Sequence, residues 1–223
     1  MIVILKLILV HAIRVRFNMK SVISFIYLNF FSKHVVNDVK KKIVIYPYPN
    51  CVFDLRDGST ILLEAPLKLG IPSIKNSKKS SYLFMDVNAI FKVKDESSII
   101  DNYDIQIQKD AVLDMGHFHS NTGLEISCGE KIVLEGEVTC GRHVRIKDFN
   151  GHFVSYTKYP KSAPICIKNH TWLCTGSVIG PGVTVGEGAV ISDNTIVIDN
   201  VPPKTFNSGN PSKVIVSNIE FKI

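Results

Sequence analysis

Proton and nucleophile chemistry in this chain falls mainly to seven histidines and five cysteines. His152 ends the segment Lys147-Asp148-Phe149-Asn150-Gly151-His152, with a carboxylate four residues before the imidazole. Free imidazole has a pKa of about 6.5, so it can take a proton near neutrality while another bond forms, an effect worth ~10² to 10⁴ in rate. Asp148 either orients that ring, binds a hydroxyl, or is a turn residue at a corner. His117 and His119 lie two apart on one side of a strand and read as surface residues flanking Phe118. The cysteines, at 51, 128, 140, 166 and 174, form no Cys-x-x-Cys pair, which excludes a zinc ribbon and a thioredoxin-like site. Free thiols in a reducing compartment are expected.

The elements that must position these groups follow a period of six. From Ile167 the chain divides into IKNHTW, LCTGSV, IGPGVT, VGEGAV, ISDNTI and VIDNVP. The first position is always aliphatic (Ile167, Leu173, Ile179, Val185, Ile191, Val197). The fifth is always small or β-branched (Thr171, Ser177, Val183, Ala189, Thr195, Val201). An earlier run, from Thr122 to Gly151, keeps the period until the fifth position fails at Asn150. Neither the 3.6 period of a helix nor the 2.0 period of a strand selects every sixth residue. Short strands that turn a corner every six residues do, and three of them close a triangular coil. Stacked coils then pair as parallel strands about 4.8 Å apart around an inner aliphatic stack.

The two runs are out of frame, because Ile146 to Ile167 spans three coil faces plus three residues. A loop at 153–164 is therefore expected to leave the coil, and His152 stands where it departs. Upstream, Pro47, Pro49, Gly58, Pro66 and Pro72 punctuate short strands such as 43–46 and 59–63, and 73–81 is a polar loop. The expected organisation is an apolar N-terminal segment, 1–42, partly helical; a β-helix, 43–216; and a tail, 217–223. The stretch from Met1 to Ile13 is too short for a ~30 Å hydrocarbon layer, which takes about 20 residues. Its cations follow the apolar stretch instead of preceding it, which argues against a signal peptide. Packing on the domain is expected.

Composition agrees with a folded chain. Of 223 residues, 45% are apolar and 21% charged, which excludes a disordered or collagen-like protein. The net charge of +6 is spread out, without the basic-aromatic stripe of a nucleic-acid surface. No Gly-x-Gly-x-x-Gly fingerprint marks a dinucleotide fold.

The stretch from Ile165 to Ile215 resembles the hexapeptide-repeat acyltransferases, above all the O-acetyltransferases of sugars and surface polysaccharides. The resemblance rests on Trp172 opening a coil, Pro-Gly-Val-Thr at 181–184, Val-Pro-Pro at 201–203 and Gly-Asn-Pro-Ser-Lys-Val at 209–214. Lys147 to His152 is similar to the family's Asp-x-x-x-His segment, and Gly116 to Asn121 to its Gly-x-x-x-x-Asn stretch. Residues 83–216 carry the likeness well and 20–82 only loosely. It implies an all-β, left-handed parallel β-helix assembled as a homotrimer, with acetyl-CoA in grooves between neighbouring subunits. It implies His152 as general base toward a sugar or polysaccharide hydroxyl. Asp148 stands beside it, and Asn121 is either next to the acceptor or a turn asparagine. A backbone N–H near the coil break would hold the oxyanion.

Family positions for acetyl-CoA fall on Thr175, Asp193, Ile198 and Lys213, with Trp172 nearby and Lys204 as a further cation. Two of these depart from the family, which commonly has Gly or Ala at the Asp193 position and Thr-Lys at 198–199. The added carboxylates weaken phosphate binding unless Lys204 or Lys213 compensates. No metal is expected, because the histidine spacing of the β-helix carbonic anhydrases is missing. A cytoplasmic protein is implied, with contact at the inner membrane permitted but not required. The rival reading is a non-catalytic β-helix that binds glycan or scaffolds a complex.

Overall fold

The structure, a computed structural model, describes residues 2–152 and 161–222. Its strands pair in parallel almost throughout, and successive strands fall on three faces in turn. Ile165–Ile167, Thr171–Leu173 and Val178–Ile179 make one turn, and Thr184–Val185, Val190–Ile191 and Ile196–Val197 the next. Each pairs with the strand three blocks later: Ile167 with Val185, Leu173 with Ile191, Ile179 with Val197. This is the parallel β-helix expected from the six-residue period. The last strand, Lys213–Ser217, runs antiparallel to Thr205–Ser208.

Burial follows the repeat. All six first-position residues from Ile167 to Val197 are fully buried, and so are the fifth-position residues apart from a trace of exposure at Val183 and Val201. Cys128 and Cys140 take inward places in the same stack as free thiols, and burial pushes both well above the ordinary thiol range. Corners turn on left-handed residues. Gly182 has φ +78° and Asn194 φ +55°, conformations that glycine and asparagine reach at least cost.

Earlier coils are longer. Leu83 pairs with Ile105 and Ile105 with Ile126, each step exceeding three six-residue blocks. The strands Val112–Ser120 and Lys131–Cys140 run through a corner and belong to two faces. At that corner Gly116 lies against Gly136, where a register shift falls between Met115 and His117. A Cβ on Gly116 would stand 2.7 Å from the Gly136 backbone nitrogen, so the close approach of the two coils requires glycine.

The N-terminal segment forms two helices, α1 (Ile2–Arg14) and α2 (Met19–Phe30), capped at the second by the Asn18 side chain accepting from Ser21 N at 3.0 Å. Helix α2 closes the open end of the coil stack. The Asn29 amide donates to Ile45 O (2.8 Å) and accepts from Ile45 N (2.9 Å), giving an end strand the partners a further coil would otherwise supply. Phe25 packs with Leu7, Val44 and Tyr46 in a small second core. No helix among the described residues is long and apolar enough to cross a membrane.

Candidate active site

The strand Arg145–Lys147 lies on the face built from Glu125–Cys128, Val178–Ile179 and Ile196–Val197. Ile146 meets Ile126 on one side and Ile179 on the other, and the second step is far longer than the three blocks that separate Ile179 from Val197. The extra length falls after Asp148 in the chain. Its base is stapled by Asn150 N donating to Lys161 O (2.9 Å) and Ala163 N donating to Asp148 O (2.9 Å), around an antiparallel bridge between Phe149 and Ser162. Most of the loop expected at 153–164 lies outside the described residues; its return, from Lys161, re-enters the coil and accepts from Gly182 N through Ala163 O at 2.9 Å.

His152 stands just past this staple, exposed, in a groove of about 650 Å³. Glu125, Arg145, Lys147 and Asn150 supply its polar wall; Val178, Gly180, Pro181, Ile196 and Ile198 supply the other. The Arg145 and Glu125 side chains approach to 3.9 Å across the strand pair, too loose to neutralise either charge for a ligand. These wall residues follow from the fold: residues at outward positions of adjacent strands stack along the face, as Glu125, Arg145, Val178 and Ile196 do. Sequence reasoning missed Glu125, Arg145 and Pro181 as site residues. Their signal was present in the outward positions of the six-residue blocks.

Asp148 lies one layer deeper and is fully buried. Its carboxylate accepts from the backbone nitrogens of Gly129, Glu130 (2.9 Å) and Lys131 (2.7 Å), with the Cys128 thiol at 3.9 Å. Burial pushes its pKa up, and the three N–H donors pull it partly back. Of the alternatives for Asp148, this geometry supports the corner residue: it fixes the turn at 129–131, against which the Phe149 ring packs over Gly129.

Other expected residues sit elsewhere. Asn121, Thr175 and Asp193 lie at the opposite corner of the same face. Asn121 N donates to Cys140 O (2.9 Å), its side chain accepts from Thr122 N (2.8 Å), and Asn194 N donates to Thr175 O (2.9 Å) up the same corner. Asp193 is exposed and, after burial, is the second cause that raises the Cys174 thiol to about 11. Trp172 is half-exposed on the adjoining face, its ring 6.2 Å from that of Phe221 in the tail. Lys204 occupies a turn with φ +52°, and Lys213 lies exposed on the last strand. Within one chain the groove therefore joins His152 with Ile198 alone of the expected set. Among the described residues no group of three His, Cys, Asp or Glu could hold a metal ion.

No family profile and no curated protein matches the chain. Solved structures do. A hexapeptide-repeat acetyltransferase of Vibrio cholerae, complexed with acetyl coenzyme A, is 24% identical over 53% of this chain and 66% of its own, with a TM-score of 0.46. This chain thus spans just under two thirds of that structure. A polySia-specific acetyltransferase, NeuO, is 20% identical over 85% of this chain and 82% of its own, TM-score 0.45. A mutant of AntD, an N-acyltransferase from Bacillus cereus, gives 14% over 83% and 84%, TM-score 0.49. Likenesses of this size assign no activity.

Proposed function

We propose that the chain is an acetyl-CoA-dependent O-acetyltransferase acting on a hydroxyl of a sugar or polysaccharide, with His152 as general base. The observation that carries this reading is an exposed imidazole at the coil break, in a groove with cations on one wall and aliphatic residues on the other. A hydroxyl is a weak nucleophile until a base takes its proton. As the acceptor oxygen bonds to the thioester carbon, the imidazole receives that proton. The tetrahedral intermediate then expels the CoA thiolate, which takes the proton back as the thioester bond breaks. Val178, Ile196 and Ile198 offer an apolar bed for a pantetheine arm, and Arg145 and Lys147 offer charge for phosphate or an anionic acceptor. Asp148 acts as a positioning residue, through the corner it holds.

The separation of the expected residues into a groove and a corner fits a site shared between copies. In a homotrimer, the arrangement the family resemblance implies, Asn121, Thr175 and Asp193 of one copy would face the His152 groove of the next, with Trp172, Lys204 and Lys213 toward the cofactor. Sedimentation at equilibrium tests the trimer. Action on a cytoplasmic acceptor is part of the same reading.

The decisive measurement is CoA release from acetyl-CoA across mono- and oligosaccharide acceptors. Wild type should turn over with at least one, and His152→Ala should lower the rate by ~10² to 10⁴ with an unchanged circular dichroism spectrum. Full activity in that variant would remove the histidine from the mechanism. A wild type that releases no CoA with any acceptor would favour the glycan-binding scaffold.

A further inference from the structure

Helix α1 buries one stripe, Leu7, His11 and Ala12, continued by Val15 just beyond its end. The rest of its surface is almost as apolar as the stripe. Ile2 is 82% exposed, and Leu5, Leu9 and Ile13 are each more than half exposed. At the turn into α2, Phe17 is 63% and Met19 67% exposed; Ile23, Tyr27 and Phe31 continue the apolar surface along α2. A helix that is apolar on every side is normally enclosed on every side, and a continuous exposed patch of this kind marks a contact surface.

Charge says what covers it. Positions 1–37 contain five Lys or Arg and no Asp or Glu, a net +5, whereas the rest of the chain, with 21 Lys or Arg against 20 Asp or Glu, carries +1. Lys33 lies outside the two helices and faces Asp57 at 3.2 Å, which leaves Lys6, Arg14, Arg16 and Lys20 as the cations of the hairpin itself. Next to the hairpin turn lies a second groove, of about 670 Å³, between the helices and the polar segment 72–78. Arg14, Arg16, Lys75 and Lys78 line it together with Asn18 and Asn76, and no carboxylate does. An apolar surface flanked by unopposed cations and amide donors matches an anionic lipid surface, whose acyl boundary takes the apolar side chains and whose phosphates meet the cations. A second copy is a poor fit, because pairing this segment with itself sets +5 against +5.

We infer that the N-terminal helical hairpin docks the protein on an anionic lipid bilayer, lying in its interface, with phosphate headgroups at the Arg14–Lys78 groove. The inference does not rest on the acetyl-transfer reading. Flotation of the full chain with vesicles of equal parts phosphatidylglycerol and phosphatidylcholine tests it. The protein should float with these vesicles, stay behind with pure phosphatidylcholine, and detach as salt rises. Lys6→Gln/Arg16→Gln/Lys20→Gln should lower partitioning on the order of a hundredfold, at about fivefold per cation near the surface. Leu9→Ser/Phe17→Ser should lower it even at low salt. Circular dichroism and CoA release with a soluble acceptor, read in parallel, should not change in either variant, so failure of docking and failure of catalysis register separately. Equal binding to neutral and anionic vesicles, or indifference to both variants, would overturn the inference. So would a dimer that Leu9→Ser/Phe17→Ser splits, which would make the face a contact between copies. Displacement from vesicles by excess soluble glycerol phosphate would instead make the groove a free-phosphate site.

Discussion

From Ile165 to Val197 every strand is two or three residues long, and the first three meet the next three at a distance of three blocks. Between Cys51 and Cys140 the strands run from four to ten residues, and partners stand farther apart along the chain, from Val112 with Lys131 to Phe53 with Leu83. The regular coils supply corners, core and one apolar groove wall, through Val178, Ile196 and Ile198. The two largest excesses of length each build a groove. The step from Phe53 to Leu83 contains 72–78, which lines the cationic groove at the hairpin, and the step from Ile146 to Ile179 contains Asn150 and His152. Regularity concentrates stability, and departure from it makes room for ligands.

The sharpest way to break this division is to damage the regular stack alone. Ile179 is fully buried between Ile146 and Val197. Ile179→Ala should cost about 2–5 kcal/mol of unfolding free energy by chemical denaturation. Activity lost well below the unfolding transition would show that stack and site are not separable. A smaller effect should come from the corner between the long coils. Gly116→Ala places a methyl against the backbone of Gly136, 2.7 Å from its nitrogen and 2.8 Å from its oxygen, and neither can move without shifting a coil. The expected cost is about 1–3 kcal/mol, typical of overpacking, read by the same denaturation.

The helical hairpin should respond to acid. His11 is buried in a stack on Phe25, ring centroids 4.5 Å apart. Ser21 gives its proton to Pro47 O, so the His11 Nε2–H donates to Ser21 Oγ at 3.3 Å, and Nδ1 has no hydrogen-bond partner among the described residues. Burial first, and then the Arg14 charge, push its pKa from 6.5 down to about 4. A depressed histidine contributes fully while both folded and unfolded chains are neutral. The contribution is lost as pH falls from 6.5 toward 4, because the unfolded chain takes up the proton first. Protection factors for hydrogen exchange in residues 2–30, taken against the intrinsic rate at each pH, should fall across that window, and His11→Gln should flatten the change.

Much of this division was legible in the sequence because it rests on local chemistry. The period placed Ile167 and its successors in the core, and the failure at Asn150 marked the coil break, since a fixed corner spacing leaves no other place for the extra residues. Asp148 was ambiguous for a physical reason. A carboxylate at a corner serves a ring or a turn equally well until the position of 129–131, a whole coil earlier, is known. Arg145 and Glu125 were hidden similarly, because their adjacency depends on a coil step longer than the three blocks that relate Val178 to Ile196. In α1 the apolar run predicted packing, but only the fold showed that one stripe packs and the remainder stays exposed.

The smallest effect should appear where the regular coils meet the tail. His170 Nε2 faces Phe221 O at 2.9 Å and Nδ1 faces a Glu137 carboxylate oxygen at 3.3 Å, so both ring nitrogens meet acceptors and only the imidazolium donates to both. The Phe221 ring stacks on the imidazole at 4.5 Å. The Phe221 carbonyl first, then Glu137, raise the His170 pKa above 6.5, with Glu187 adding to them. A raised histidine stabilises the docked tail fully below 6.5, and the contribution is lost as pH rises through the higher folded value. Trp172 is the chain's one tryptophan and lies 6.2 Å from Phe221, so its emission reports the contact directly. Raising the pH from below 6.5 should shift that emission modestly, and His170→Gln should abolish the shift while leaving the unfolding midpoint almost unchanged. An emission change that survives the substitution would move the tail's pH response to another group, and the regular coils would then end in a contact that His170 does not govern.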